Sequence, residues 1–250
     1  MDAQIHGTVL PVLEITLNPG DKLVSEAGEM SWMSSQIEMV TTTQTAGAKG
    51  MMGVLKRAVG GGGIFMTEFG VTNAPGQVAF ATKMPGQIMP VQVQPGGELM
   101  IQRSGFLCAT EGVELTVGFQ KKLGAGIFGG EGFLLQKLGG SAQAWVELDG
   151  EVLVRDLAPG EVLRVNPGHV GMFQAQMAFD IQMVPGIKNK LFGGEGLFLA
   201  TLTGPGRVWL QTLPIANLAH SLLPYLPQAT NGNGGGDSVG GALGSLLGGN

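Results

Sequence analysis

Pro95-Gly96-Gly97-Glu98-Leu99-Met100-Ile101 decides how this chain folds. Proline presets the φ of the second turn position and glycine accepts the positive φ of the third, so Pro-Gly closes a tight turn. Leu99-Met100-Ile101 then leaves the turn as a strand. Upstream, Met89-Pro90-Val91-Gln92-Val93 alternates in polarity, as a strand with one buried face does. The arrangement occurs twice more. Val12-Leu13-Glu14-Ile15-Thr16-Leu17 leads into Pro19-Gly20-Asp21-Lys22-Leu23-Val24, and Val152-Leu153-Val154-Arg155-Asp156-Leu157 leads into Pro159-Gly160-Glu161-Val162-Leu163-Arg164-Val165.

A second trio accompanies the first. Gly60 to Gly63 precedes Ile64-Phe65, Gly129-Gly130-Glu131-Gly132 precedes Phe133-Leu134-Leu135, and Gly193-Gly194-Glu195-Gly196 precedes Leu197-Phe198-Leu199. After each, a small-residue turn opens a further strand, beginning near Pro75-Gly76, Ser141-Ala142 and Pro205-Gly206. Pro-Gly turns recur by chance in any β protein, but several motifs recurring in one order mark an internal repeat. Read as glycine loop, two strands, then Pro-Gly strands, the units span 60–117 and 129–184, with a third split between 193–213 and 5–40. The predicted fold is all-β: three pseudo-repeated units in a single domain over 1–213, closed into a pseudo-three-fold ring. Closure would remove sheet edges that otherwise invite aggregation.

Two stretches lie outside that domain. Ile215, Leu218, Ala219, Leu222, Leu223 and Leu226 recur at helical spacing behind Pro214, which predicts a short helix over 214–226 that Pro224 interrupts. Residues 228–250 are rich in Gly, Asn and Ser and read as a flexible tail.

Composition agrees with short strands and tight turns. The 250 residues include 44 glycines and 13 prolines, and only 13% are charged, against about 25% in ordinary proteins. Net charge is −5, a poor basis for a duplex DNA binder. The single cysteine, Cys108, allows no intrachain disulfide and fits a reducing, cytoplasmic setting. No basic segment followed by an apolar run opens the chain, so no signal peptide is expected, and no run of about 18 apolar residues predicts a membrane-spanning helix.

The glycine loop Phe128-Gly129-Gly130-Glu131-Gly132-Phe133 and the repeated Pro-Gly strands resemble a bacterial family of unknown function. That family also includes a fungal mitochondrial-biogenesis protein linked to altered inheritance of mitochondria. The resemblance covers residues 1 to about 226. It implies a fold related to the trp RNA-binding attenuation protein and the double-stranded β-helix group, and homo-oligomers of such β units. It carries no catalytic residues to this chain, and fold-level kinship with an RNA binder says little about function.

Chemistry-bearing motifs are scarce. His6, His169 and His220 have no metal-ligand spacing, and no Cys/His cluster exists. Cys108 lies in an apolar run without an adjacent base, as a buried structural thiol does. The glycine loops lead into strands, whereas a phosphate cradle needs a helix N-terminus. Glu131 and Glu195 are equivalent, but Gly62 stands at the third position, so a three-fold acidic site is incomplete. No catalytic residue, metal ligand or cofactor is expected.

One charge feature rises above background. Lys49, Lys56, Arg57, Lys121, Lys122, Lys188 and Lys190, seven of the fourteen basic residues, fall just before the glycine loops among apolar side chains such as Phe128 and Phe192. In a ring these candidate interaction loops would share one face. The first reading is that the apolar side chains plug the end of the barrel or pack against another subunit or protein partner while the lysines stay solvated. Docking on an anionic membrane is the second, at about 1 kcal/mol per basic residue near the surface. Single-stranded nucleic acid is the third and least favoured, because only 6% of residues are aromatic and such binding leans on base stacking. The leading expectation is a non-enzymatic, oligomeric β scaffold or binding module. The alternative from another class is an enzyme or small-ligand binder with a pocket between β units.

Overall fold

The computed structural model describes residues 1–42, 66–121, 132–184, 198–222 and 225. The candidate residues Lys49, Lys56, Arg57, Lys122, Phe128, Lys188, Lys190 and Phe192 lie outside these, as does the stretch 228–250. The chain divides into Met1–Ala216 and Asn217–Asn250. Within the first, β1 (Asp2–His6) precedes three sets of six strands. The first set is β2 (Val12–Leu17), β3 (Lys22–Glu26), β4 (Trp32–Met33), β5 (Glu38–Thr42), β6 (Met66–Gly70) and β7 (Gly76–Ala81). The second is β8 (Gly86–Val93), β9 (Leu99–Gln102), β10 (Phe106–Thr110), β11 (Val113–Lys121), β12 (Phe133–Gly140) and β13 (Ala142–Asp149). The third is β14 (Val152–Leu157), β15 (Val162–Val165), β16 (Val170–Gln174), β17 (Ala178–Met183), β18 (Phe198–Thr203) and β19 (Gly206–Gln211). The helix α1 (Ile215–Leu222) follows.

The Pro-Gly turns have the expected chemistry. Gly20, Gly96 and Gly160 adopt φ of +93°, +84° and +78°. Each turn closes with a backbone hydrogen bond of 2.9–3.0 Å, donated by Asp21, Gly97 and Glu161 to Asn18, Gln94 and Ala158. A carboxylate beyond each turn folds back to accept from its backbone: Asp21 from Asn18 N–H, Glu98 from Gly96 N–H and Glu161 from Ala158 N–H. Alternation also produces the expected face in β2, where Leu13, Ile15 and Leu17 are fully buried and Val12, Glu14 and Thr16 are not.

One pairing scheme runs through all three sets. The last strand of each pairs with the first: β7 with β2, β13 with β8, β19 with β14. It also pairs with the third: β7 with β4, β13 with β10, β19 with β16. The fifth strand lies between the second and fourth: β6 between β3 and β5, β12 between β9 and β11, β18 between β15 and β17. Each set therefore contributes three strands to each of two sheets, and the two six-stranded sheets are shared between neighbouring sets.

The sheets join neighbouring sets. The second strand of one set pairs with the third strand of the next, through β3–β10 and β9–β16. The result is β1-β2-β7-β4, then β5-β6-β3-β10-β13-β8, then β11-β12-β9-β16-β19-β14, and finally β15-β18-β17. The core follows these joints. Leu107, Cys108 and Trp145 of the second set pack with Leu13, Ile15 and Phe80 of the first, and Met172 of the third packs with Ile101 and Leu138 of the second.

Two expectations need correction. The hairpin after each glycine loop pairs with the Pro-Gly strands before it, not those after it, so the sets run contiguously over 12–81, 86–149 and 152–211. Among the described residues the N-terminal strands do not complete the C-terminal hairpin: β18 and β19 pair with β14 to β17. The expected ring closure is accordingly not seen in the hydrogen bonding, and all four sheets are open. The physical reason is that the fifth strand of each set pairs with both the second and the fourth strands of its own set, so its hydrogen-bonding edges are already used there.

Candidate functional site

Lys121 is the one candidate interaction residue within the described residues. It ends β11, and its ammonium lies 2.9 Å from the Asp180 carboxylate in β17. The ammonium also donates to the Ile181 carbonyl. The lysine holds the Asp180 carboxyl below its usual range, chiefly through this hydrogen bond. Its charge is therefore spent in a cross-set ion pair. The pair brings together the strands that lead into residues 122–131 and 185–197.

Beside this pair lies an aromatic cluster. Phe119 meets Phe179 edge-on at 4.9 Å between ring centroids, and Phe179 stacks on Phe173 at 5.0 Å. Phe133 closes the group at 6.1 Å from Phe179. Such pairs add about 0.5–1.5 kcal/mol each beyond burial. They border an open cavity of about 260 Å³, lined by Met100, Phe119, Lys137, Phe173, Met177 and Phe179. That volume is below the roughly 300–1,000 Å³ of ordinary small-molecule sites.

A polar network crosses the joint between the first two sets and reaches the third. Glu147 and Asp149 are buried in β13, whose neighbours on both sides cover it. Lys83 N–H donates to Glu147 at 3.2 Å, while the Lys83 ammonium pairs with Glu29 at 2.5 Å. The Gln136 amide donates to the Glu26 carboxylate. The Gln211 amide donates to Gln102 at 2.7 Å and its carbonyl accepts from Asp149 N–H at 3.0 Å. Burial pushes the Glu147 carboxyl up to about 7 and raises Glu26 and Asp149 as well. No sequence motif marked these residues. The available signal was Glu147 and Asp149 alternating with Val146 and Leu148 next to Trp145, but alternation alone assigns such carboxylates to a solvated face.

The other candidate chemical groups have structural surroundings. Cys108 is fully buried, and burial raises its thiol well above the ordinary value. His169 Nδ1 lies 2.8 Å from the Gln211 carbonyl oxygen. His6 sits on the exposed strand β1. Among the described residues no group of three or more His, Cys, Asp or Glu side chains is arranged to hold a metal ion. No helix among them is long and apolar enough to cross a membrane.

The fold and these sites define an all-β protein with a short helix, whose sheets are shared between successive strand sets. The chain belongs to the family described as mitochondrial biogenesis AIM24, whose model matches residues 3–213. It is 23% identical over 224 residues to an uncharacterized protein of Streptococcus pyogenes serotype M6, covering 88% of this chain and 89% of that one. The X-ray crystal structure of a Streptococcus pyogenes protein superposes with a TM-score of 0.71 at 21% identity, over 90% of this chain and 99% of the other. At that identity the likeness shows a shared fold. No specific biochemical function attaches to the family model or to either relative.

Proposed function

We propose that this protein is a non-enzymatic, self-associating β scaffold of the cytoplasm. The observation that carries the reading is the sharing of sheets: three-strand groups of neighbouring sets join through β3–β10 and β9–β16, which leaves β2-β7-β4 and β15-β18-β17 without a joined group among the described residues. Exposed apolar side chains on short outer strands support it, including Trp32, Met39, Val40 and Val162. Open strand edges bearing apolar side chains are templates for contact with another chain. Native mass spectrometry of gently purified protein at modest salt tests the reading. A homo-oligomer without added mass is expected. A monomer carrying a stoichiometric small molecule contradicts it and favours a ligand-binding or enzymatic role.

Docking on an anionic membrane is a second reading, favoured by the Lys121–Asp180 pair. That pair sets the strands leading into two of the three basic loops side by side. Because Lys121 is already paired, Lys122, Lys188 and Lys190 are the residues to reverse. The triple change Lys122→Glu, Lys188→Glu and Lys190→Glu is expected to abolish cosedimentation with phosphatidylserine vesicles, at about 1 kcal/mol per lost cation and more for its reversal. Unchanged cosedimentation rules this surface out.

A further inference from the structure

Both inter-set joints among the described residues use the same two edges. The second strand of one set receives the third strand of the next, in one register. Cys108 lies opposite Ser25, Ala109 opposite Val24 and Thr110 opposite Leu23. Met172 lies opposite Ile101, Phe173 opposite Met100 and Gln174 opposite Leu99. One edge of each kind is left over. Among the described residues, β4, the third strand of the first set, pairs only with β7, and β15, the second strand of the last set, pairs only with β18. They do not pair with each other.

We propose that β4 of one copy adds to β15 of a second copy, building between molecules the joint that the chain builds twice within itself. This rests on the scaffold reading and names its interface. The occupant follows from continuity with the internal joints, because the only edge shown to accept a third strand is a second strand. The residues at these edges fit a contact. Trp32 on β4 is 51% exposed, whereas its counterparts Cys108 and Met172 are fully buried; Leu163 and Val165 on β15 are only partly buried, whereas their counterparts Leu23 and Ser25 on β3 and Leu99 and Ile101 on β9 are buried. An exposed strand edge is a template for pairing with another chain.

The register is determined by equivalence. Leu17, Val93 and Leu157 precede their prolines by two residues and pair with Gly76, Ala142 and Gly206. Counting from these, Ala79, Trp145 and Trp209 are equivalent, and they pair with Trp32, Cys108 and Met172. Trp32 of one copy therefore faces Val165 of the next, Met33 faces Arg164 and Ser34 faces Leu163. The two edges differ, so the contact is head-to-tail, and copies add in a chain or close into a ring.

Two singly substituted proteins, Met33→Cys and Arg164→Cys, test the interface when mixed under mild oxidation. Cys108 is fully buried and does not compete. Directly opposed residues on paired strands come close enough for a disulfide after small adjustment. A cross-linked dimer that forms in the mixture, and at least about tenfold less in either protein alone, is the expected result; the tenfold margin corresponds to a clear preference for one partner. Matched circular dichroism spectra establish that both variants are folded. Native mass spectrometry on the same samples separates the two claims. Oligomers without the cross-link overturn the edge assignment and leave the scaffold standing, whereas monomers throughout overturn both. A Met33→Cys, Arg164→Cys double variant that cross-links within one chain also overturns the proposal, since the edges would then close on each other.

Discussion

Gly140→Ala is expected to cost about 3 kcal/mol or more, because two penalties coincide. Gly140 ends β12 at φ +87°, where an L side chain is strained. An added Cβ would also stand 2.1 Å from the carbonyl oxygen of Gly112, which is backbone and cannot swing aside. The same carbonyl accepts from Ser141 N–H at 3.0 Å, so relieving the clash breaks the contact between two turns. Gly160→Ala is the control. Gly160 has φ +78° but nothing within 4 Å of an added Cβ, so it bears only the conformational cost of about 1–2 kcal/mol. Urea denaturation separates the two. Equal losses would show that the turn-to-turn contact contributes nothing.

Stability is expected to fall as pH rises from 5 to 8, and Glu147→Gln is expected to flatten that fall. Burial is the largest cause of the raised Glu147 carboxyl, reinforced by the charges of Glu29 and Asp149. The Lys83 N–H and ammonium oppose it without cancelling it. A carboxyl that holds its proton more tightly in the folded state than in the unfolded chain favours folding below its ordinary value of 4.5. That contribution is lost as pH rises through about 7. The loss for Glu147 reaches up to about 3 kcal/mol once ionisation is complete. Glu26 and Asp149 are raised too and act in the same direction. Asp156 and Asp180, lowered by Arg207 and Lys121, act in the opposite direction, and their contribution is lost only in more acidic solution. Glutamine keeps an oxygen acceptor for Lys83 N–H and removes the ionisation. Urea midpoints at pH 5, 7 and 8 should decline for the parent and much less for Glu147→Gln. Parallel declines would place the linkage elsewhere.

The features legible in the sequence were those that neighbouring residues determine. Pro19-Gly20, Pro95-Gly96 and Pro159-Gly160 specify turns by their own backbone preferences, and all three form them. Val12 to Leu17 specifies a half-buried strand by its period. What failed was the choice of partner. Motif order shows that a hairpin lies between two Pro-Gly segments, but not which segment it pairs with, and the hydrogen bonds assign β12 and β13 to the strands before them. The closed ring failed for the same reason, since it required β18 and β19 to find the N-terminal strands. The basic loops were legible as composition. Of their named residues, Lys121 alone falls among the described ones, and its pairing with Asp180 depends on a contact 59 residues away. The buried carboxylates were illegible for a different reason. β13 is an interior strand covered on both faces, so its alternating polar residues do not face solvent.

Association through the leftover edges is open to a charge exchange followed by sedimentation velocity. Met33→Lys places a cation opposite Arg164 of the neighbouring copy, and like charges across an interface weaken binding by about tenfold or more. Adding Arg164→Glu restores opposite charges at that position. Association in the parent, a shift to monomer in Met33→Lys, and recovery in the double variant are expected. Equal association in all three, or a monomeric parent at every concentration, would contradict pairing through these edges.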